Sequence, residues 1–253
     1  MSEPTVMKGA EPWGADGDDV GVLVLHGFTG SPQSVRYWAE GIAGAGRTVL
    51  VPRLPGHGTT VSDLQESRPA DWVAEAEMSM RGLRERCRKV FVCGLSMGGG
   101  LTFDLAARFA DDIDGIVTVN AIVYSDDWRA KLLRPILGRL PLTVKGVADD
   151  IAEPGQHELA YDKVPTKAAA SMLEYFDKIH ARLGSVRCPA LIMVSRQDHV
   201  VPTGNAAFIH DRIASADKEI LWLERSYHVA TLDYDRDLIV ERTNEFVEQR
   251  MKE

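Results

Sequence analysis

The 253-residue chain carries 45% hydrophobic and 26% charged residues with a formal net charge of −8, the profile of one globular domain rather than of a nucleic-acid or anionic-membrane binder. No apolar run reaches the roughly 18 residues that span a bilayer, and Cys87, Cys93 and Cys188 form no C-x-x-C pair, so neither a disulfide framework nor a zinc site is expected. The opening MSEPTVMKGAEPWGADGDD is polar and acidic, without the basic and apolar regions of a secretory leader, and the cytoplasm is the expected location.

The first strand candidate is VGVLVLH, Val20 to His26, whose Val and Leu barely alternate with polar residues, as expected of a strand covered on both faces. A glycine-bounded loop, HGFTG, follows it. Ser31-Pro32 then opens a helix running to about Ala45, with proline at an early helical position. RTVLVPRL, Arg47 to Leu54, is the next strand and leads into PGHG. Trp72, Ala76, Met80, Leu83 and Cys87 recur at three- and four-residue spacing and predict a helix over Arg68 to Cys87.

The next strand, KVFVCGL from Lys89 to Leu95, runs into Ser-Met-Gly-Gly-Gly and a helix over Met97 to Ala110. Gly94-Leu-Ser96-Met-Gly98 fits G-x-S-x-G, a pattern that about one chain in ten of this length matches by chance. Its position between strand and helix is what makes it informative. A turn that tight brings neighbouring Cβ atoms into collision, and the glycines relieve it while Ser96 is held with its hydroxyl above the sheet. The competing reading is a helix N-cap serine with glycines for packing.

DGIVTVN, Asp114 to Asn120, is a further strand, after which the rhythm breaks. The stretch from Ala121 to Gly184 is far longer than one crossover helix, contains Pro135, Pro141, Pro154 and Pro165, and carries the apolar patch LLRPILGRLPL. It is read as a cap or lid over the carboxyl edge of the sheet. Ile136, Leu137, Leu140 and Leu142 either roof an apolar acyl site or form the insertion's own small core.

PALIMVS, Pro189 to Ser195, resumes the strands, and KEILWLE, Lys218 to Glu224, completes them; helices over Asn205 to Ile213 and Asp235 to Arg250 fill the remainder. The alternation predicts an α/β fold with a mostly parallel central sheet flanked by helices. Residues 1–120 and 185–253 form its core and residues 121–184 its cap.

A serine hydroxyl needs a base to attack. Among seven histidines, His228 lies in the loop after the last strand, at the same edge as Ser96. His26 and His57 sit in loops where they shape backbone, His199 adjoins the candidate acid, His157 and His180 fall in the insertion, and His210 is on a helix. The acid is Asp198, in SRQDHVVP after its strand; its alternative is an ordinary turn aspartate. The order Ser96, Asp198, His228 is the order this fold uses. Oxyanion donors are then the amide of Met97 and that of Phe28 in HGFTG.

With these blocks assembled, the sequence resembles the α/β-hydrolases, specifically the bacterial monoacylglycerol lipases and small carboxylesterases. The resemblance rests on HGFTGSP at 26–32, PGHG at 55–58, GLSMGG at 94–99, CPALIMVSRQDHVVP at 188–202 and SYHVATLDYD at 226–235. It implies an α/β-hydrolase fold with a cap after the sixth strand of that fold. The chain departs from larger relatives in having only 19 residues before Val20, so the antiparallel edge hairpin of the full fold is expected to be missing or reduced. It implies that Ser96, Asp198 and His228 act as the triad beside Phe28 and Met97. In HELAYDKVPT, 157–166, it implies that Glu158 meets a glycerol head group.

The expected activity is hydrolysis of medium- or long-chain monoacylglycerols through an acyl-enzyme, without metal or cofactor. A generic short-chain carboxylesterase is the alternative. Thioesterases, carbon–carbon bond hydrolases and peptidases also use a serine triad, whereas dehalogenases and epoxide hydrolases of this fold place an aspartate at the elbow. A non-catalytic ligand receptor on the same fold would be expected to lack a triad member. The expected partner is a small lipid-like ester, with no nucleic acid and no stable membrane insertion beyond transient lipid-surface contact through the cap.

Overall fold

Successive residues of the strand Val20–Leu25 enter two different cores. Val20, Val22 and Val24 pack with Trp38, Ile42 and Val247, while Leu23 and Leu25 pack with Trp72, Met80 and Leu101. Strand side chains alternate between faces, so a strand that is buried throughout must have helices on both sides. The same alternation runs through Lys89–Leu95, Gly115–Val119 and Ala190–Ser195. The protein is described by a computed structural model over residues 5–125, 136, 138, 142–146 and 149–252.

Seven strands form the sheet, in the order Trp13–Ala15, Thr48–Val51, Val20–Leu25, Lys89–Leu95, Gly115–Val119, Ala190–Ser195 and Lys218–Leu223. All neighbours are parallel except Trp13–Ala15, which runs antiparallel to Thr48–Val51. That three-residue strand is what the described residues retain of the edge hairpin. Thr48–Val51 is shorter than the expected Arg47–Leu54, because Pro52 has no N–H to continue the ladder.

From Val20–Leu25 the chain moves outward to one edge, then returns to lay Lys89–Leu95 on the other side. The two strands at this reversal end side by side, and crevices at such points are where open α/β sheets bind ligands. Helices Gln33–Gly44 and Arg236–Arg250 cover one face. Helices Pro69–Arg84, Met97–Arg108 and Gly204–Arg212 cover the other. Pro69 opens its helix, and the Asp71 carboxylate accepts the Arg68 amide at 2.8 Å, which stops the helix from extending back.

Within residues 121–184 two parts behave differently. Helix Thr166–Arg182 sends Ala168, Phe176 and Ile179 into the same core as the sheet. Buried Asp104 accepts the Tyr175 hydroxyl at 2.6 Å and pairs with Arg182 at 2.5 Å. Upstream, Thr143–Lys145 and Lys163–Pro165 form a small antiparallel pair, and the strap between them lies over the sheet's carboxyl edge. Tyr161 anchors this strap: its hydroxyl donates to Gly56 O at 2.9 Å and accepts the Thr59 amide at 2.7 Å. Of the four side chains expected to roof an acyl site, Leu137 and Leu140 lie outside the described residues, as do Pro135 and Pro141. Ile136 and Leu142 are exposed and do not enter the central cavity. Among the described residues no helix is long and apolar enough to cross a membrane.

Candidate active site

Ser96 stands between the strand Lys89–Leu95 and the helix Met97–Arg108 with φ 55° and ψ −117°. That left-handed conformation is costly for any residue with a Cβ, so the surroundings must impose it. They do so by crowding. A Cβ on Gly98 would lie 2.3 Å from Leu25 O, and one on Gly94 would lie 2.3 Å from Gly98 O. The Ser96 hydroxyl caps nothing in the helix it precedes, which distinguishes it from an ordinary N-cap serine.

The structure brings the three expected side chains together. His228 Nε2 is 3.0 Å from Ser96 Oγ, and His228 Nδ1 is 2.8 Å from Asp198 Oδ2. Asp198 Oδ1 accepts the amides of Val200 and Val201, both at 2.8 Å, so the carboxylate is oriented before it meets the imidazole. With Asp198 acting as acceptor, Nδ1 carries the proton and Nε2 is left to take one from the serine. Burial disfavours the charged imidazole, but the Asp198 hydrogen bond and the charges of Asp198, Glu158 and Asp150 outweigh it and raise the His228 pKa above 6.5.

Phe28 and Met97 line the cavity beside Ser96, and among the described residues neither N–H donates to a protein acceptor. Such free donors beside a hydroxyl suit a developing oxyanion. The Phe28 loop is held by His26, which is fully buried, donates from Nδ1 to Gly27 O at 2.9 Å and accepts the Leu54 amide on Nε2 at 3.1 Å. Burial lowers its pKa to about 4, so it stays neutral and ties two loops together. His57 stacks edge-on against Phe28 and Trp72. Neither imidazole approaches Ser96 by hydrogen bond.

The cavity above these groups has a volume of about 310 Å³. Among the described residues its apolar lining includes Ile122, Val164, Ala169, Met172, Val200 and Val201. Glu158 also lines it, with a carboxyl oxygen against Gly30 and a hydrogen bond to Ser34. Enclosure pushes its pKa up to about 7. His157 and His180 stay apart: His157 is exposed and bonds Asp149, and His180 packs edge-on to Phe208.

Two residues that the sequence reading passed over hold the site in place. Asn120, with φ 47°, donates from Nδ2 to His228 O at 2.7 Å. Asp150 of the strap accepts the His228 amide at 3.0 Å. Among the described residues the non-glycine residues with positive φ are Thr29, Ser96, Asn120 and Asp149; Thr29 and Ser96 line this cavity, Asp149 precedes its lining residue Asp150, and Asn120 bonds the backbone of its lining residue His228. Backbone strain concentrated at one cleft is a pointer to function that sequence patterns do not display.

Comparison with known proteins bears on the family and the fold. A family profile described as serine aminopeptidase, S33 (Hydrolase_4) matches residues 19–235. A thermostable monoacylglycerol lipase of Bacillus sp. strain H-257 is 47% identical over 97% of this chain and 98% of its own. A carboxylesterase of Bacillus subtilis strain 168 is 28% identical over 94% of this chain and 96% of its own. Among solved structures, one from work on the metagenome-derived lipolytic enzymes LipS and LipT matches with a TM-score of 0.93 at 45% identity, covering 97% of this chain and 100% of that one.

Proposed function

This chain belongs to the serine aminopeptidase S33 family and has the α/β-hydrolase fold, and from that premise we propose that it is a monoacylglycerol lipase with Ser96 as nucleophile. Serine hydrolysis of carboxylic esters is the activity its relatives share. The observation that carries the residue assignment is the hydrogen-bonded chain Ser96–His228–Asp198 beside a cavity lined by both apolar and polar side chains.

His228 Nε2 takes the Ser96 proton as Oγ attacks the ester carbonyl, forming a C–O bond and an oxyanion between the Phe28 and Met97 amides. Collapse breaks the bond to glycerol, whose oxygen receives the proton from His228. Water then gives its proton to the same imidazole, attacks the acyl-serine and releases the fatty acid, returning the proton to Ser96. Asp198 holds the imidazole tautomer and offsets its transient charge throughout.

Glu158 supports the monoacylglycerol reading: a carboxyl in the cavity lining suits the two free hydroxyls of a single glycerol ester, while Met172, Val164 and Ile122 suit one acyl chain. The insertion at residues 121–184 acts as the cap, and its exposed Leu142 and Val144 would let it touch a lipid surface transiently. The 28% identical carboxylesterase keeps a short-chain esterase as the second reading.

The test is a substrate panel with the Ser96→Ala variant alongside. We expect hydrolysis of medium- and long-chain monoacylglycerols to exceed that of triacylglycerols and p-nitrophenyl acetate, and a fluorophosphonate probe to label the parent but not the variant. Preference for acetate esters alone would replace the lipase reading by the esterase one, and parental activity in Ser96→Ala would remove the residue assignment.

A further inference from the structure

The imidazole and the carboxylate of the proposed triad come from different loops, one after Lys218–Leu223 and one after Ala190–Ser195. Their side chains touch, yet both loops are also gripped by a third segment, the strap. Asp150 Oδ2 accepts the His228 amide at 3.0 Å and the His199 amide at 3.2 Å. Asp150 Oδ1 lies 2.8 Å from His199 Nδ1, and Asp150 O accepts the Val229 amide at 3.1 Å. A single residue therefore bonds the residue after Asp198, His228 itself and the residue after His228.

Its neighbours make the same join in the opposite sense. Buried Asp233, in the histidine loop, accepts the amides of Ala152 at 2.7 Å and Glu153 at 2.9 Å, together with its own loop's Tyr227 at 2.9 Å. Glu153 also pairs with Arg236. Strap and histidine loop are thus stitched along residues 150–153, whereas the hairpin Thr143–Lys145 and Lys163–Pro165 meets the core elsewhere. Among the described residues Asp150 is the one stitch that also reaches the acid loop.

We propose that Asp150 is a positioning residue that sets the His228–Asp198 geometry from the cap, so that a working triad requires the strap to be seated. The proposal rests on the triad assignment above and goes beyond it: the cap then belongs to the catalytic apparatus as well as to the substrate site. Asp150 lines the cavity with Glu158, Lys145 and His228, whose imidazole bonds Asp198, and has the His199 imidazole on its own carboxylate. Its negative charge is one of those that raise the His228 pKa.

Two substitutions separate holding from charge. Asp150→Asn keeps an acceptor for the two amides and removes the charge, whereas Asp150→Ala removes both. Misplacing a reacting group by about 1 Å can cost about 10²-fold in rate, and that loss in kcat is expected for Asp150→Ala on a soluble p-nitrophenyl ester. Asp150→Asn should keep kcat within about threefold by the same positional argument, while the acid limb of its kcat/KM profile moves to lower pH. A purely structural role would leave that limb in place.

Fluorophosphonate labelling of the parent, with Ser96→Ala as control, tests the triad itself: an unlabelled parent overturns both readings, whereas a labelled parent leaves Asp150 to be judged alone. Parental kcat in Asp150→Ala overturns the proposal. Should that variant fail to fold by circular dichroism, Asp150→Asn decides: a moved acid limb with kcat retained supports it, and an unmoved limb overturns it.

Discussion

Asn120 and Ser195, at the ends of adjacent parallel strands, clasp each other through two hydrogen bonds. Ser195 N donates to Asn120 Oδ1 at 2.7 Å, and Asn120 Nδ2 donates to Ser195 Oγ at 2.9 Å. Asn120 Nδ2 also donates to His228 O at 2.7 Å, and Ser195 Oγ to Tyr227 O at 2.8 Å. The backbone that carries the imidazole is therefore suspended from a buried polar pair between two strand ends. Asn120→Ala leaves the Ser195 amide and the His228 carbonyl without their partner and removes a residue tolerant of positive φ. We expect a stability loss of about 1–3 kcal/mol by urea denaturation, with a fall in kcat larger than the change in KM. Unchanged kcat would mean that the loop holds itself.

The acid limb of the reaction follows from the His228 environment. Its folded pKa is raised above 6.5, and only the neutral imidazole accepts a proton. Activity is thus lost as pH falls through the raised value, placing the limb of kcat/KM above pH 6.5. The sign for stability is opposite. A raised folded pKa contributes stability fully below the unfolded value and loses it as pH rises through the folded one. The protonated enzyme is the steadier and less active form. A limb at or below pH 6.5 in a kcat/KM titration would contradict this account.

Glu158 offers a second pH test. Burial is the main cause pushing its pKa to about 7, opposed by the His228 charge and the Ser34 hydrogen bond and assisted by Asp149. The contribution of this group to stability is present below 4.5 and lost as pH rises through about 7. Glu158→Gln should therefore raise Tm at pH 8 and leave it unchanged at pH 4 in differential scanning fluorimetry. If the carboxyl meets the glycerol end, the same variant should raise KM for monoacylglycerols more than for p-nitrophenyl esters.

The turn at Ser96 should tolerate no added methyl at Gly98. A Cβ there would stand 2.3 Å from Leu25 O and 2.7 Å from His26 O, both backbone atoms that cannot rotate away. Overpacking of this kind costs about 1–3 kcal/mol, so Gly98→Ala should lower stability by that order and displace the Ser96 hydroxyl. Loss of fluorophosphonate labelling in folded Gly98→Ala is the expected readout; parental labelling would show the turn to be slacker than its contacts imply.

Much of the framework was legible in the amino-acid order. Val20–Leu25, Lys89–Leu95, Gly115–Val119 and Ala190–Ser195 are nearly continuous apolar runs, and only a sheet covered on both faces accommodates those. The spacing Trp72, Ala76, Met80, Leu83 announced one helix, and the end of each run announced where Ser96, Asp198 and His228 would emerge. The helix Thr166–Arg182 was equally available from Ala168, Phe176, Ile179 and Leu183 but was absorbed into a long irregular segment. The strap was not legible. It has little regular structure, so no periodicity marks it, and its hold on the core runs through backbone amides that every residue possesses.

What the linear order determined was therefore the inventory: which strands are buried, which turn must be tight, and which side chains stand at the carboxyl edge. What only the folded chain decided was their mutual placement. His228 comes within 3.0 Å of Ser96 because Asn120 and Asp150 fix its loop across sequence separations no local pattern spans, while Asp233 braces the loop from within. The cavity lining depends on the fold for the same reason. Side chains reach a cleft according to how helices and straps pack, so Met172 and Val164 line it while Leu142 is exposed. Hydrophobicity says that a residue will seek cover, but packing geometry selects which cover it finds.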